Sequence, residues 1–342
     1  MCSDRKSALP LFLLVFLVGV VQPAYAQPNK ELAPSAEPVI WRDPGNISAR
    51  DLRYGPGAAK LAPLSPFTFV EEVKSGESPK IRVTDARGER WVVKLGEEAQ
   101  AETVATRLVW AVGYFAEEAY YFERVRISRL PKLSRGQEFV TTRNVVRGAR
   151  FEPRRPSVQE GSSWDWEKNP FEETKELNGL KIMMILLNNY DARSENNKIF
   201  YVTNSNSGAD EARYYVTDLG ATLGKADGLG GHRSKNNLSD FLKTRFVLGV
   251  EDDGVVKFDY DTRPSRLGVL SVVYLPYYRS QVKKEKSMRG IPVEHARWVG
   301  SLLSQLTDKQ LHQAFMAAKY KPGTRIGFVN ALRERIDQLT TL

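Results

Sequence analysis

The chain has 342 residues, 42% of them hydrophobic and 27% charged, with a formal net charge of +9, a balance that fits a packed globular protein rather than a disordered or fibrous one. Its single cysteine, Cys2, excludes a disulfide framework and thiolate metal sites, and its three scattered histidines, His232, His295 and His312, offer no zinc spacing. The basic excess favours anionic partners such as nucleotides, while the lack of a long basic run argues against nucleic acid.

Residues 1–26 read as a secretory signal peptide. Arg5 and Lys6 precede an apolar run from Leu11 to Val21, and Ala24-Tyr25-Ala26 has the small-x-small form that signal peptidase cuts. The run is too short to span a bilayer, and no second long apolar stretch follows it. The expectation is an exported protein, periplasmic or secreted, with no transmembrane segment after cleavage. Residues 27–60 carry Pro28, Pro34, Pro38, Pro44 and Pro56 and read as a proline-rich extended tether, or a segment packed along the surface, with no core of its own.

Alternation predicts strands over 67–73, 80–84 and 90–95, with a turn at Asp85-Ala86-Arg87-Gly88 between the last two. A helix is predicted over 97–112, where Val104, Leu108, Ala111 and Val112 recur at helical spacing and Gly113 stands at the C-cap. A second strand-rich stretch, 120–146, leads to a polar passage with Pro153 and Pro156, which places a boundary near residue 150. Beyond it, Asn169-Pro170-Phe171-Glu172 predicts a helix start, with the helix running to about Leu187. Two short strands are predicted at 200–203 and 214–217, and amphipathic helices at 294–306, 308–318 and 325–339. The fold class is therefore α+β, with a strand-rich part at 61–150 and a mainly helical part at 151–342.

Four short elements carry chemistry. In Trp91-Val92-Val93-Lys94, strand alternation turns Val92 and Lys94 to one face; alone, such a lysine is more often a solvated charge. Glu102, in the following helix, can pair with it, in competition with Glu97 and Glu98. Asp191 and Asn196 stand five residues apart with Arg193 between them, directly after an apolar helix, although the Asn-rich loop also reads as a surface turn. Finally, a strand ends in Asp218-Leu219-Gly220.

In that order the four elements resemble the protein-kinase-like superfamily, in the style of phosphoinositide kinases, HipA-like kinases and secretory-pathway kinases. Val93-Lys94-Leu95-Gly96, 107–114 and 218–224 further resemble segments of a group of exported bacterial proteins without an assigned activity. The resemblance implies a two-lobed kinase-like fold, with the strand-rich part as N-lobe and the helical part as C-lobe. It implies ATP, with Mg²⁺ or Mn²⁺, as cofactors: Lys94 on the phosphates and positioned by Glu102, Asn196 and Asp218 on the metal, Asp191 as base, and Arg193 on the transferring phosphoryl group. No Gly-x-Gly-x-x-Gly precedes Lys94; the nearest stretch, Lys74-Ser75-Gly76-Glu77-Ser78, has one glycine, Gly76, for a short phosphate-covering turn. His-Arg-Asp and Ala-Pro-Glu are also absent. The function expected is an exported phosphotransferase acting on a protein, lipid or small-molecule acceptor. The alternatives are a pseudokinase acting as a binding module, and an AMP transferase using the same cleft.

Overall fold

The computed structural model describes residues 36–155, 158–205, 207–225, 234–260, 262 and 275–342, with 275–278, 280 and 281 described by backbone alone. The signal peptide expected at 1–26 lies outside them. The chain begins with β1 (Glu37–Val39), followed by β2 (Phe67–Val73), β3 (Lys80–Thr84), β4 (Arg90–Leu95), α1 (Glu98–Ala111), β5 (Tyr120–Ser128), β6 (Val140–Thr141) and β7 (Val145–Pro153). β4, β3, β2, β5, β7 and β6 are hydrogen-bonded in that order, and β4 also pairs with β7. That extra pairing closes five strands, β4-β3-β2-β5-β7, into a barrel. Closure removes two sheet edges that would otherwise be exposed.

Alternation explains the barrel core. Ile81 and Val83 on β3, Trp91, Val93 and Leu95 on β4, and Val125 and Ile127 on β5 recur at every second position and form one apolar cluster, which Val146 and Phe151 of β7 join. β4 is buried on both faces, because its outward side chains, Val92 and Lys94, are covered as well. Antiparallel register sets Lys94 opposite Arg150 and Val92 opposite Glu152.

α1 packs on β4, β5 and β7 and touches a later helix on its other side. Small residues at 99, 101, 103, 105 and 106 allow that close approach on several faces. Arg107 is also buried, donating to the carbonyls of Thr103 at 2.7 Å and Ala119 at 2.8 Å, and burial lowers its pKa to about 10. The helix stops at Gly113, whose φ is +102° and where a Cβ would lie 2.3 Å from the Arg42 carbonyl oxygen.

After β8 (Gln159–Glu160) come α2 (Lys175–Leu186), β9 (Asn197–Thr203), β10 (Asp210–Val216), α3 (Leu238–Phe241), β11 (Val247–Val250), β12 (Val255–Phe258), α4 (Leu275–Ser287), β13 (Ile291–Pro292), α5 (Val293–Ser304), α6 (Asp308–Ala317) and α7 (Pro322–Thr340). α2 packs on α5, α5 on α7, and α6 on both α1 and α7, around a second, larger apolar cluster. Two small sheets, β1-β10-β9-β8 and β11-β12-β13, complete this part, the second packed on α5 and α7. No helix of the described residues is long and apolar enough to cross a membrane.

Three expectations are corrected. The helix predicted from Asn169 starts at Lys175: Asn169 accepts from the Phe171 amide at 2.9 Å but caps only a turn, because Glu173 adopts a φ of +64° and Thr174 becomes the N-cap. The boundary predicted at residue 150 falls inside β7, which runs on to Pro153. The described part of the 27–60 tether is packed in place. Ile47 and Leu52 are 0% exposed within the larger cluster, and β1 pairs in parallel with β10. Arg42 meets Glu211 at 2.6 Å, and Gln310 donates to the Ile47 carbonyl at 2.7 Å. Its apolar residues follow no helical or strand period, so their burial depends on the elements that cover them.

Candidate active site

The barrel, α1 and the segment around β9 and β10 line a cleft of about 400 Å³. Lys94 reaches it from β4, 2% exposed, and its Nζ lies 3.0 Å from Glu102 Oε2, 2.9 Å from Glu98 Oε2 and 2.5 Å from Asp218 Oδ1. Burial alone would pull the ammonium pKa down, but the charges of Glu102, Asp218 and Glu98 outweigh it and raise the value, so the lysine stays charged. Of the three glutamates competing for Lys94, both Glu98 and Glu102 make contact, while Glu97 occupies the N-cap position of α1.

Each carboxylate has further partners. Glu98 accepts from Lys235 at 2.6 Å and from Ser78 Oγ at 2.6 Å. Burial would raise its pKa, but Lys94, Lys235 and Ser78 together hold it at about 2. Glu102 meets Arg150 at 3.2 Å, and Arg150 meets Glu152 at 3.0 Å. A chain of alternating charge thus runs from Lys235 through Glu98, Lys94, Glu102 and Arg150 to Glu152.

Asp218 is brought in by the end of β10. Leu219 is buried beneath it as an anchor, and at Gly220 a Cβ would come within 2.7 Å of Glu98 Cβ, so only glycine lets this turn pass under α1. Asp218 adopts a φ of +54°, a left-handed conformation that aspartate tolerates better than most residues.

The Asp191 loop is held from several sides. Asn189 Oδ1 accepts from the Asp191 amide at 2.9 Å, Tyr260 Oη donates to the Asn189 carbonyl at 2.7 Å, and Lys284 Nζ donates to the Tyr190 carbonyl at 3.0 Å. Arg193 donates to Asp191 Oδ2 at 2.9 Å, and Asn196 Nδ2 donates to the same oxygen at 3.1 Å. Thr217, the neighbour of Asp218, donates its amide at 2.8 Å and its hydroxyl at 2.7 Å to the Asn196 carbonyl. The loop that carries Asp191, Arg193 and Asn196 is therefore tied to the residue beside Asp218. Gly76, with a φ of +77°, lies in the turn between β2 and β3, and Glu77 next to it lies 3.8 Å from Arg193.

Among the described residues no group of three or more histidine, cysteine, aspartate or glutamate side chains is arranged to hold a metal ion. Of the two residues expected to hold one, Asp218 offers a carboxylate that is 40% exposed and Asn196 a side-chain amide oxygen. Two hard oxygen donors fit Mg²⁺ or Mn²⁺, which complete their shells with water and substrate phosphates instead of a full protein cage.

Sequence reasoning missed Arg150, Glu152 and Glu117, all of which line the cleft. The alternation Arg150-Phe151-Glu152 was a signal for the first two. Their approach to Lys94 depends on the β4–β7 pairing, which no local pattern reveals.

No protein-family model matches the chain, and no curated protein matches it. Among solved structures it is similar to the Helicobacter pylori proinflammatory kinase CtkA, at 12% identity and a TM-score of 0.39, over 80% of this chain and 95% of that one. It is also similar to the golgi casein kinase, at 10% identity and a TM-score of 0.30, over 81% of this chain and 74% of that one. Likenesses this distant carry no argument about the chemistry, which rests on the residues of the cleft.

Proposed function

We propose that the chain is a kinase-like phosphotransferase, the barrel and α1 serving as N-lobe and the helical part as C-lobe, which binds ATP in the cleft and passes its terminal phosphoryl group to a hydroxyl acceptor. The observation that carries this reading is the meeting of Lys94 with both Glu102 and Asp218, with the Asp191–Asn196 loop fastened to Thr217 next door. A charged lysine held by carboxylates is a ready partner for anionic phosphates. Asp218 and Asn196 would hold Mg²⁺ or Mn²⁺, which when bound neutralises phosphate charge.

In this reading Lys94, held by Glu102, orients the phosphates, and Gly76 gives the turn above them a backbone that can approach closely. The acceptor hydroxyl meets Asp191, whose carboxylate takes the proton as the new oxygen–phosphorus bond forms. The bond to the bridging oxygen breaks and ADP leaves. Arg193, already on Asp191, offsets charge on the moving group. Catalysis of this kind is mainly positioning and electrostatic stabilisation. The leader-like pattern of residues 1–26 supports export, to the periplasm or the medium.

The test is incubation of the purified protein with γ-labelled and α-labelled ATP, each with Mg²⁺ or Mn²⁺, in the presence of protein, lipid and small-molecule acceptors. Transfer of the γ label alone, lost in Asp191→Asn, supports phosphoryl transfer. Transfer of the α label indicates AMP transfer, and ATP binding without transfer of either label indicates a pseudokinase.

A further inference from the structure

The turn between β2 and β3, residues 74–79, carries a single glycine, Gly76, where the phosphate-covering loop of a kinase has three. Glycine gives such a loop the freedom to fold closely around a ligand. With one glycine, the shape of this turn has to come from what holds it on the outside. Val73 at its start and Ser75 within it line the cleft, so that shape bears on whatever the cleft binds.

The hold comes from the segment between β5 and β6. Arg135 donates from NH1 to the Gly76 carbonyl at 2.6 Å and from NH2 to the Val73 carbonyl at 2.9 Å. A guanidinium presents its donors in a rigid planar fork, so gripping both carbonyls sets the curvature of the chain between them. Arg135 is itself seated by Glu72, near the end of β2. The Glu72 carboxylate accepts from the Ser134 amide at 3.0 Å, from the Ser134 hydroxyl at 2.7 Å and from the Arg135 amide at 3.0 Å. These bonds hold its carboxyl below the usual carboxylate range.

Two further contacts fix the far end of the turn. Gly136, with a φ of +79°, passes so close that a Cβ there would lie 2.7 Å from Pro79 Cβ. Ser78 Oγ donates to Glu98, one of the carboxylates on Lys94. Arg135 does not itself line the cleft. A trans peptide unit points its N–H opposite to its C=O, so the Gly76 carbonyl held by Arg135 sends the Glu77 N–H away from Arg135. The Glu77 side chain lies 3.8 Å from Arg193, so the turn faces the loop that carries Asp191.

We propose that Arg135 is a positioning residue: by gripping the backbone of the 74–79 turn from outside the cleft, it holds that turn over the phosphates of bound ATP and so replaces the glycines the turn lacks. The assignment rests on the nucleotide reading above and adds to it a residue that touches neither nucleotide nor acceptor. A turn over the phosphates does not reach the rest of the nucleotide, so loosening it costs affinity for a triphosphate and spares a monophosphate. A general effect of positive charge would be shared by Arg147, which donates to the Glu138 carbonyl at 3.1 Å and has no hydrogen bond to the turn.

Isothermal titration of the purified protein with AMP and with ATP, each with Mg²⁺, tests the proposal. Arg135→Ala is expected to weaken ATP by about tenfold and AMP by less than about twofold. Arg135→Lys, which cannot fork to both carbonyls, is expected to fall between wild type and Arg135→Ala. Arg147→Ala removes the same charge nearby and is expected to leave both affinities as they are. Glu72→Ala unseats Arg135 without removing it and is expected to give the same selective loss at smaller size, which decides the matter if Arg135→Ala does not fold. Equal weakening of AMP and ATP would show a merely structural role and overturn the proposal. So would an unchanged ATP affinity in Arg135→Ala, a loss in Arg147→Ala as large as that in Arg135→Ala, or a wild type that binds ATP no more tightly than AMP. A wild type that binds neither overturns the nucleotide reading and this assignment together.

Discussion

Lys94 Nζ and Asp218 Oδ1, 124 residues apart in the chain, meet at 2.5 Å. The contact joins the inner strand of the barrel to the end of β10, and Glu102 and Glu98 complete a set of three carboxylates around one ammonium. The partners are unequally buried, since the Lys94 side chain is 2% exposed and that of Asp218 40%.

That inequality predicts unequal costs. Lys94→Met leaves Glu102 and Glu98 without their shared cation, and is expected to destabilise the protein by about 3–5 kcal/mol. Asp218→Asn keeps a residue that tolerates the left-handed backbone, loses only a half-open carboxylate, and is expected to cost less than about 1.5 kcal/mol. Urea denaturation of the two variants measures both. Equal costs would show that Lys94 is not the centre of the cluster.

Glu117 predicts a pH dependence. In the unfolded chain its carboxyl ionises near 4.5, while in the folded protein it holds its proton well above that value. Between the two values the folded state binds more protons, so this group makes stability fall as pH rises. Glu117→Gln removes the titration. The variant is expected to match the wild type near pH 4 and to become increasingly the more stable of the two toward pH 8. Parallel stability curves would contradict a proton held at Glu117.

Gly179 sits inside α2, where alanine would ordinarily favour a helix by about 0.5–1 kcal/mol. A Cβ there would lie 2.3 Å from Tyr114 Oη and 2.7 Å from the Trp298 ring. Gly179→Ala is therefore expected to destabilise by about 1–3 kcal/mol through overpacking, with a lowered thermal midpoint as the readout.

Ile47 distinguishes a tether from a packed segment. It is 0% exposed, and its carbonyl accepts from Gln310 at 2.7 Å. Ile47→Ala is expected to cost about 2–5 kcal/mol, whereas a residue on a loose tether would cost almost nothing. Chemical denaturation decides between the two.

Strands β2, β3 and β4 and helix α1 were legible because their side chains alternate or recur within a few residues, and Lys94, Glu102 and Asp218 could be picked out because each stands at a fixed place on such an element. What local patterns could not show depends on distant pairing. Arg150 and Glu152 reach the cleft only because β7 pairs with β4 as well as β5, which closes a barrel where the strand pattern alone suggested a hairpin and further strands. Ile40, Ile47 and Leu52 lie between prolines without a period, so their burial comes from covering helices and strands. The start of α2 was misplaced because Asn169 forms a real cap for a turn that does not continue.

The central claim is that the cleft holds a nucleotide with a divalent cation, and its most direct test is the thermal midpoint of the purified protein with and without ATP and Mg²⁺ or Mn²⁺, beside Asp218→Asn. A ligand that binds only the folded state raises the midpoint. A rise that needs both ATP and the cation, and that Asp218→Asn abolishes, is the predicted result. An unchanged midpoint with every nucleotide and cation, in a wild-type protein that unfolds cooperatively, would contradict it.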